Sequence, residues 1–135
     1  MNGERKPEPA GETAADPRRT ILVVEDEILV RAAAATHLRD AGYIVMEAAD
    51  AAEAVRILGA ERSIDLVFSD VNMPGEMDGT GLGRWIVRNR SWTKVLLTSG
   101  AGWTDDMADA DRIAWLAKPY KFSDLERRVR ALLDC

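Results

Sequence analysis

Three short apolar runs in this chain end on charged residues that could share one site. Ile21-Leu22-Val23-Val24 leads into Glu25-Asp26, Leu66-Val67-Phe68-Ser69 into Asp70, and Trp115-Leu116-Ala117 into Lys118-Pro119. Three carboxylates gathered in one place repel one another, so such a cluster calls for a cation. A hard divalent ion such as Mg²⁺, which takes one or two carboxylates plus phosphate oxygens, fits best. Lys118 then adds a second positive charge facing a phosphate. A carboxylate beside a divalent cation and an ammonium can attack phosphorus and hold an acyl phosphate. On spacing alone Asp70 reads equally as such a nucleophile and as a turn cap at a loop start.

The charges converge only if the runs are parallel strands of one sheet, because ligands of open α/β sheets bind at the carboxyl ends of the strands. Short β-branched runs bounded by turn residues read as buried parallel strands. The expected strands are Thr20 to Val24, Tyr43 to Met46, Ile64 to Ser69, Lys94 to Thr98 and Ile113 to Ala117. Helices are expected between them. The first runs from about Glu27 to Ala41 and stops at Gly42. The second is opened by the capping-box pair Asp50 and Glu53 and runs through Leu58, with Gly59 after it. The third covers about Gly81 to Asn89, and a short fourth starts at Thr104 with Asp105 and Asp106 favourably placed at its N-terminus. In the last, Ser123 and Glu126 form another capping-box pattern, and Leu125, Val129, Leu132 and Leu133 recur at helical spacing.

Five strands alternating with five helices predict an α/β fold: one doubly wound, five-stranded parallel sheet joined by right-handed crossovers. For this size the flavodoxin-like order 2-1-3-4-5 is expected, which makes the first and third strands neighbours and brings Glu25, Asp26 and Asp70 to the switch point.

The 135 residues suffice for one domain, and a composition of 47% hydrophobic and 30% charged residues is that of an ordinary globular protein. The net charge of -5 argues against a nucleic-acid partner, which would call for a basic face. No apolar stretch is long enough to span a bilayer. The lone cysteine, Cys135, permits no internal disulfide, which fits a cytoplasmic location. Residues 1–18 carry Pro7, Pro9, Pro17, Gly3 and Gly11 among charges and read as a disordered tail, leaving the domain at 19–135.

Several segments together resemble a bacterial response-regulator receiver domain. They are Val23-Val24-Glu25-Asp26-Glu27, Asp65 to Gly75, Asp78-Gly79, Thr98-Ser99-Gly100 and Lys118-Pro119-Tyr120, in order and at compatible spacing from Arg19 to Asp134. The resemblance implies a single-domain response regulator of a two-component phosphorelay, a stand-alone receiver without an output domain. Asp70 would accept a phosphoryl group from a sensor histidine kinase or a histidine phosphotransfer protein. Asp26 would contact Mg²⁺ directly and Glu25 through water, while Asn72 would offer the metal its backbone carbonyl. Lys118 would pair with the phosphoryl group, and the family usually has a cis peptide between this lysine and the proline. Ser99 is the hydroxyl expected to report phosphorylation. Thr98 is its rival, but adjacent strand residues face opposite sides of the sheet, and the place before Gly100 matches the family's Ser/Thr. Trp115 stands where the family usually has a switching Tyr or Phe. Such a domain is not an enzyme acting on a separate substrate; it promotes its own phosphorylation and dephosphorylation. Its downstream protein is unidentified, and a homodimer through the output face is open.

Blander readings stand beside these. Asp70 could be a turn cap, Glu25 and Asp26 acids of a first helical turn, Lys118 a surface lysine and Trp115 a packing residue. His37, the only histidine, reads as a surface residue, and Cys135 as incidental. Of Trp85, Trp92 and Trp103, some belong in the core and an exposed one would anchor a partner. Two departures from the family pattern bear on signalling. The loop Met73 to Gly79 carries one residue more than the family's commonest form, and Asp111-Arg112-Ile113-Ala114 replaces the usual Gly-Ala before the fifth strand. The competing functions are a phosphorylation-independent interaction module with a receiver fold, and a small Mg²⁺-dependent phosphatase of the haloacid dehalogenase type. The second usually needs another carboxylate two residues after the nucleophile, where this chain has Asn72.

Overall fold

The computed structural model describes residues 17–100 and 112–134. The elements are β1 (Thr20–Val24), α1 (Ile28–Asp40), β2 (Ile44–Ala48), α2 (Ala51–Ala60), β3 (Leu66–Asp70), α3 (Gly79–Asn89), β4 (Lys94–Ser99), β5 (Ile113–Ala117) and α4 (Phe122–Leu133). All strand pairs are parallel, in the order β2-β1-β3-β4-β5. The α/β fold and strand order are those expected. The helix expected from Thr104, the tail through residue 16, Trp103 and Cys135 lie outside the described residues.

Strand periodicity explains the two cores. Leu22, Val24, Val67, Val95, Leu97 and Ile113 face one side and bury against Ala51, Ala54 and Leu58 of α2 and Leu82 and Ile86 of α3. Ile21, Val23, Leu66, Phe68, Leu96 and Leu116 face the other, against Ala34, Ala35 and Leu38 of α1 and Leu125, Val129 and Leu133 of α4. Burial on both faces accounts for the near-continuous apolar strands. It also leaves only the strand ends for polar chemistry.

Helix ends match the sequence signals in part. Asp50 Oδ1 accepts the Glu53 N–H at 2.8 Å while Glu53 Oε1 accepts the Ala49 N–H at 2.7 Å, so that capping pair forms. Gly42 follows α1 at φ 103°, the left-handed region that glycine enters without penalty. Gly59, by contrast, lies within α2. This helix ends on an arginine: the buried Arg90 guanidinium donates to the carbonyls of Leu58, Glu61 and Arg62 at 2.6, 3.2 and 3.2 Å. The Ser123–Glu126 box does not form. The N-cap of α4 is Lys121, with no side-chain cap, and Glu126 instead faces His37 Nε2 at 3.3 Å and Arg130 at 3.4 Å. His37 is therefore a partly exposed surface residue that also bridges α1 and α4, stacked on Phe122 at 5.0 Å.

Candidate phosphoryl-transfer site

β1 and β3 are neighbours with Val24 opposite Ser69, so Glu25-Asp26 and Asp70 emerge side by side at the carboxyl ends of the strands. One carboxylate oxygen from each of Glu25, Asp26 and Asp70 lies within 4.8 Å of the others. Glu25 and Asp70 are buried, whereas Asp26 is exposed. Lys118, brought in from the end of β5, places Nζ 3.1 Å from Asp70 Oδ2. The second oxygen of Asp70 accepts the Asn72 N–H at 3.2 Å. The Lys118–Pro119 peptide is cis, and the Lys118 N–H donates to the Ser99 carbonyl at 3.1 Å.

Charge decides what such a cluster will hold. At 4.8 Å each pair of ionised carboxylates repels by about 3.5 kcal/mol at an effective dielectric of about 20, and there are three pairs. The ammonium at 3.1 Å attracts its partner by about 5 kcal/mol on the same scale, which offsets only part of the repulsion. The Glu25 carboxyl is pushed up to about 7. Burial is the main cause, and a hydrogen bond with Asp26 and the charge of Asp70 add to it; the Glu27 N–H at 3.0 Å and Lys118 pull the other way. An all-oxygen trio with a net charge of -2 after Lys118 is counted suits a hard divalent cation. The residues present fit Mg²⁺.

The surroundings hold the acids in place. The Glu25 N–H continues the β1–β2 ladder to the Ala48 carbonyl at 3.0 Å, and Arg31 donates to the Glu25 carbonyl at 2.8 Å. Behind Asp70, Val71 donates to Thr98 O at 3.0 Å and accepts the Gly79 N–H at 2.9 Å. Tyr120 packs edge-on against Phe68 at 5.7 Å. Burial, with the nearby charges of Glu25 and Asp70, pushes its hydroxyl up to about 12.

A family model for the response regulator receiver domain matches residues 21–130. The chain belongs to the response regulator receiver domain family. It is similar to the transcriptional regulatory protein PdtaR of Mycobacterium tuberculosis, 42% identical over 115 residues that make up 83% of this chain and 55% of PdtaR. It is also similar to the sensor kinase CckA of Brucella abortus, 38% identical over 85% of this chain and 12% of that protein. The chain thus spans about half of one relative and a small part of the other. The crystal structure of the receiver domain from hybrid histidine kinase CckA superposes with a TM-score of 0.73 at 38% identity, covering 84% of this chain and 98% of that one. A CheY-like receiver domain from Methanospirillum hungatei gives a TM-score of 0.78 at 27% identity, over 87% and 94%.

Of the residues singled out from sequence, Glu25, Asp26, Asp70, Asn72 and Lys118 meet at one receiver pocket. The two hydroxyls divide. Thr98 is the Cα partner of Asp70 and shares its face of the sheet, while Ser99, buried at the end of β4, shares the opposite face with Leu97 and Trp115. Trp115 is half-buried against the core that contains Leu97.

Sequence reasoning looked for an exposed tryptophan and missed a different surface. Trp85 and Trp115 pack half-buried on the core, and Trp92 lies 4.9 Å from the Arg90 guanidinium with its indole N–H on the Arg62 carbonyl. The exposed large apolar residues among those described are Ile28, Leu29, Val30 and Phe122. Three of them border a groove of about 720 Å³ lined by Leu29, Val30, Ala33, Gly100, Lys118 to Tyr120 and Phe122. The signal was legible: three consecutive apolar residues at a helix start cannot all face a core.

Proposed function

We propose that this receiver is a phosphoacceptor, with Asp70 taking a phosphoryl group from a phosphohistidine. The observation that carries the reading is the Asp70 carboxylate held 3.1 Å from Lys118 Nζ within the acidic trio. A carboxylate oxygen of Asp70 forms the new P–O bond as the P–N bond of the donor breaks, and the leaving imidazole takes up a proton. Lys118 neutralises the transferred group in transit and as acyl phosphate, the contribution on which phosphoryl transfer depends most. Mg²⁺, held by Asp26, Asp70 and the Asn72 carbonyl with Glu25 behind, supplies further neutralisation when bound. The domain promotes its own phosphorylation and the later hydrolysis of its acyl phosphate; it turns over no separate substrate.

The donor is a sensor histidine kinase or a histidine phosphotransfer protein. Its phosphohistidine must come within bonding distance of Asp70, so its surface must cover the mouth of the pocket. The apolar groove beside Lys118 suits a helix that carries such a histidine. Ser99 and Trp115, on one face of β4 and β5, are the pair that would relay the phosphorylated state to a downstream protein. A soluble, cytoplasmic two-component regulator is the context this implies.

Intact mass after incubation with acetyl phosphate tests the assignment. Wild-type protein should gain one phosphoryl group only with Mg²⁺, and Asp70→Asn should gain none. Labelling of the variant would move the acceptor elsewhere.

A further inference from the structure

α3 opens with Gly79-Thr80-Gly81-Leu82-Gly83, three glycines in five residues of a helix. A glycine inside a helix costs about 1 kcal/mol relative to alanine, so the pattern needs a reason. The three positions differ in what a methyl group would meet. At Gly81 it would come 2.9 Å from Cγ of Met77, a flexible side chain that can give way. At Gly83 it would come 3.0 Å from Cδ1 of Ile113, in the core against β5. At Gly79 it would stand 2.2 Å from the Asp70 carbonyl oxygen, 2.7 Å from Val71 Cα and 2.9 Å from the Asp70 carbonyl carbon. All three atoms at Gly79 are backbone of the nucleophile's own turn. They cannot rotate away.

The same turn is fixed from two sides. The Val71 N–H is tied to Thr98 O at 3.0 Å, and the Val71 carbonyl accepts the Gly79 N–H at 2.9 Å. Asp78 caps α3 by accepting the Gly81 N–H at 2.9 Å, which sets the helix start against the strand end. The first residue of α3 therefore rests directly on the peptide that carries Asp70.

We propose that Gly79 is a positioning residue for phosphoryl transfer: contact of the α3 backbone with the Asp70–Val71 peptide sets where the Asp70 carboxylate and the Asn72 carbonyl stand. This rests on Asp70 being the phosphoacceptor. A methyl group at 2.2 Å must move that peptide by about 1 Å to reach ordinary contact, and a misplacement of that size costs up to about 100-fold in rate.

The test compares Gly79→Ala with Gly83→Ala and Gly81→Ala. Phosphorylation by acetyl phosphate is followed by intact mass, Mg²⁺ affinity by tryptophan fluorescence, and thermal midpoint by calorimetry. Both Gly79→Ala and Gly83→Ala should melt earlier. Only Gly79→Ala should lose about 10- to 100-fold in phosphorylation rate at saturating Mg²⁺ and severalfold in Mg²⁺ affinity. Equal losses in the two variants at matched stability, or a rate for Gly79→Ala within twofold of wild type, would overturn the proposal. If Gly79→Ala does not fold, Asp78→Ala loosens the same turn without adding an atom. It should slow phosphorylation while Gly81→Ala does not, and an unchanged rate would again overturn the role. If wild-type protein takes no phosphoryl group, or Asp70→Asn takes one, the phosphoacceptor reading fails. The Mg²⁺ affinities still decide the positioning role.

Discussion

Glu25 gives the sharpest test of the site's electrostatics. Its carboxyl is held at about 7, mainly by burial and then by the neighbouring acids, so near neutral pH a proton competes with any cation for the pocket. With a value of about 7, the group is about 9% ionised at pH 6 and about 91% at pH 8. Mg²⁺ affinity that draws on the ionised form should therefore tighten about tenfold between those pH values and level off above them. Tryptophan fluorescence titrations across that range would measure it. Calorimetry in two buffers of different ionisation enthalpy would count the released proton directly. Glu25→Gln keeps the shape and cannot titrate; it should bind Mg²⁺ more weakly and with a flat pH profile. A change of less than twofold in wild type, or the same slope in Glu25→Gln, would refute the reasoning.

The same shift fixes a sign for stability. The folded value lies above the unfolded value of 4.5, so the native state holds its proton more tightly. From this group, metal-free protein should lose stability as pH rises from about 4.5 to 7, the reverse of an ordinary paired carboxylate. Saturating Mg²⁺ should restore stability at pH 8 and do little at pH 5, as read from thermal midpoints.

Leu29 is 81% exposed beside the groove, so Leu29→Asp should leave stability within about 0.5 kcal/mol. It should slow transfer from a phosphohistidine protein at least tenfold while labelling by acetyl phosphate is unchanged; equal effects on both donors would remove the groove from docking. Thr98 Oγ1 is buried with no hydrogen-bond partner among the described residues, so Thr98→Val should stabilise the resting protein by about 1 kcal/mol, seen as a higher calorimetric midpoint. Arg90 donates to three carbonyls and to Thr93 Oγ1 from a buried position, so Arg90→Met should cost about 2–4 kcal/mol in denaturant unfolding.

What could be read from sequence, and what could not, follows from where each signal resides. The strands were legible because both faces are buried: runs such as Leu66-Val67-Phe68 leave no polar alternative, and their order followed from alternation and size. Strand ends were less so. β2 runs to Ala48 and not Met46, because Glu47 is held outside by Arg31 at 3.3 Å and Arg39 at 3.2 Å, contacts between residues distant in sequence. The end of α2 was misplaced for the same reason, since its cap is an arginine 29 to 32 positions further on. Glu25, Asp26, Asp70 and Lys118 were legible because each closes an apolar run, whereas Asn72 was legible only through the family resemblance.

The features that local rules handle badly gather around Asp70. A glutamate whose carboxyl sits at about 7, a threonine hydroxyl buried without a partner among the described residues, and a glycine-rich helix start each lower the stability of the resting fold. Sequences that specify one structure satisfy local preference, packing and electrostatics together, and natural proteins depart from that agreement mainly at functional sites. Here the departures share one geometry. Thr98 on β4 is the register partner of Asp70, Glu25 follows the neighbouring strand β1, and Gly79 abuts the peptide that follows the nucleophile. A divalent cation would relieve the acid repulsion in this pocket, and with Lys118 it would have to offset the further negative charge that a phosphoryl group on Asp70 brings.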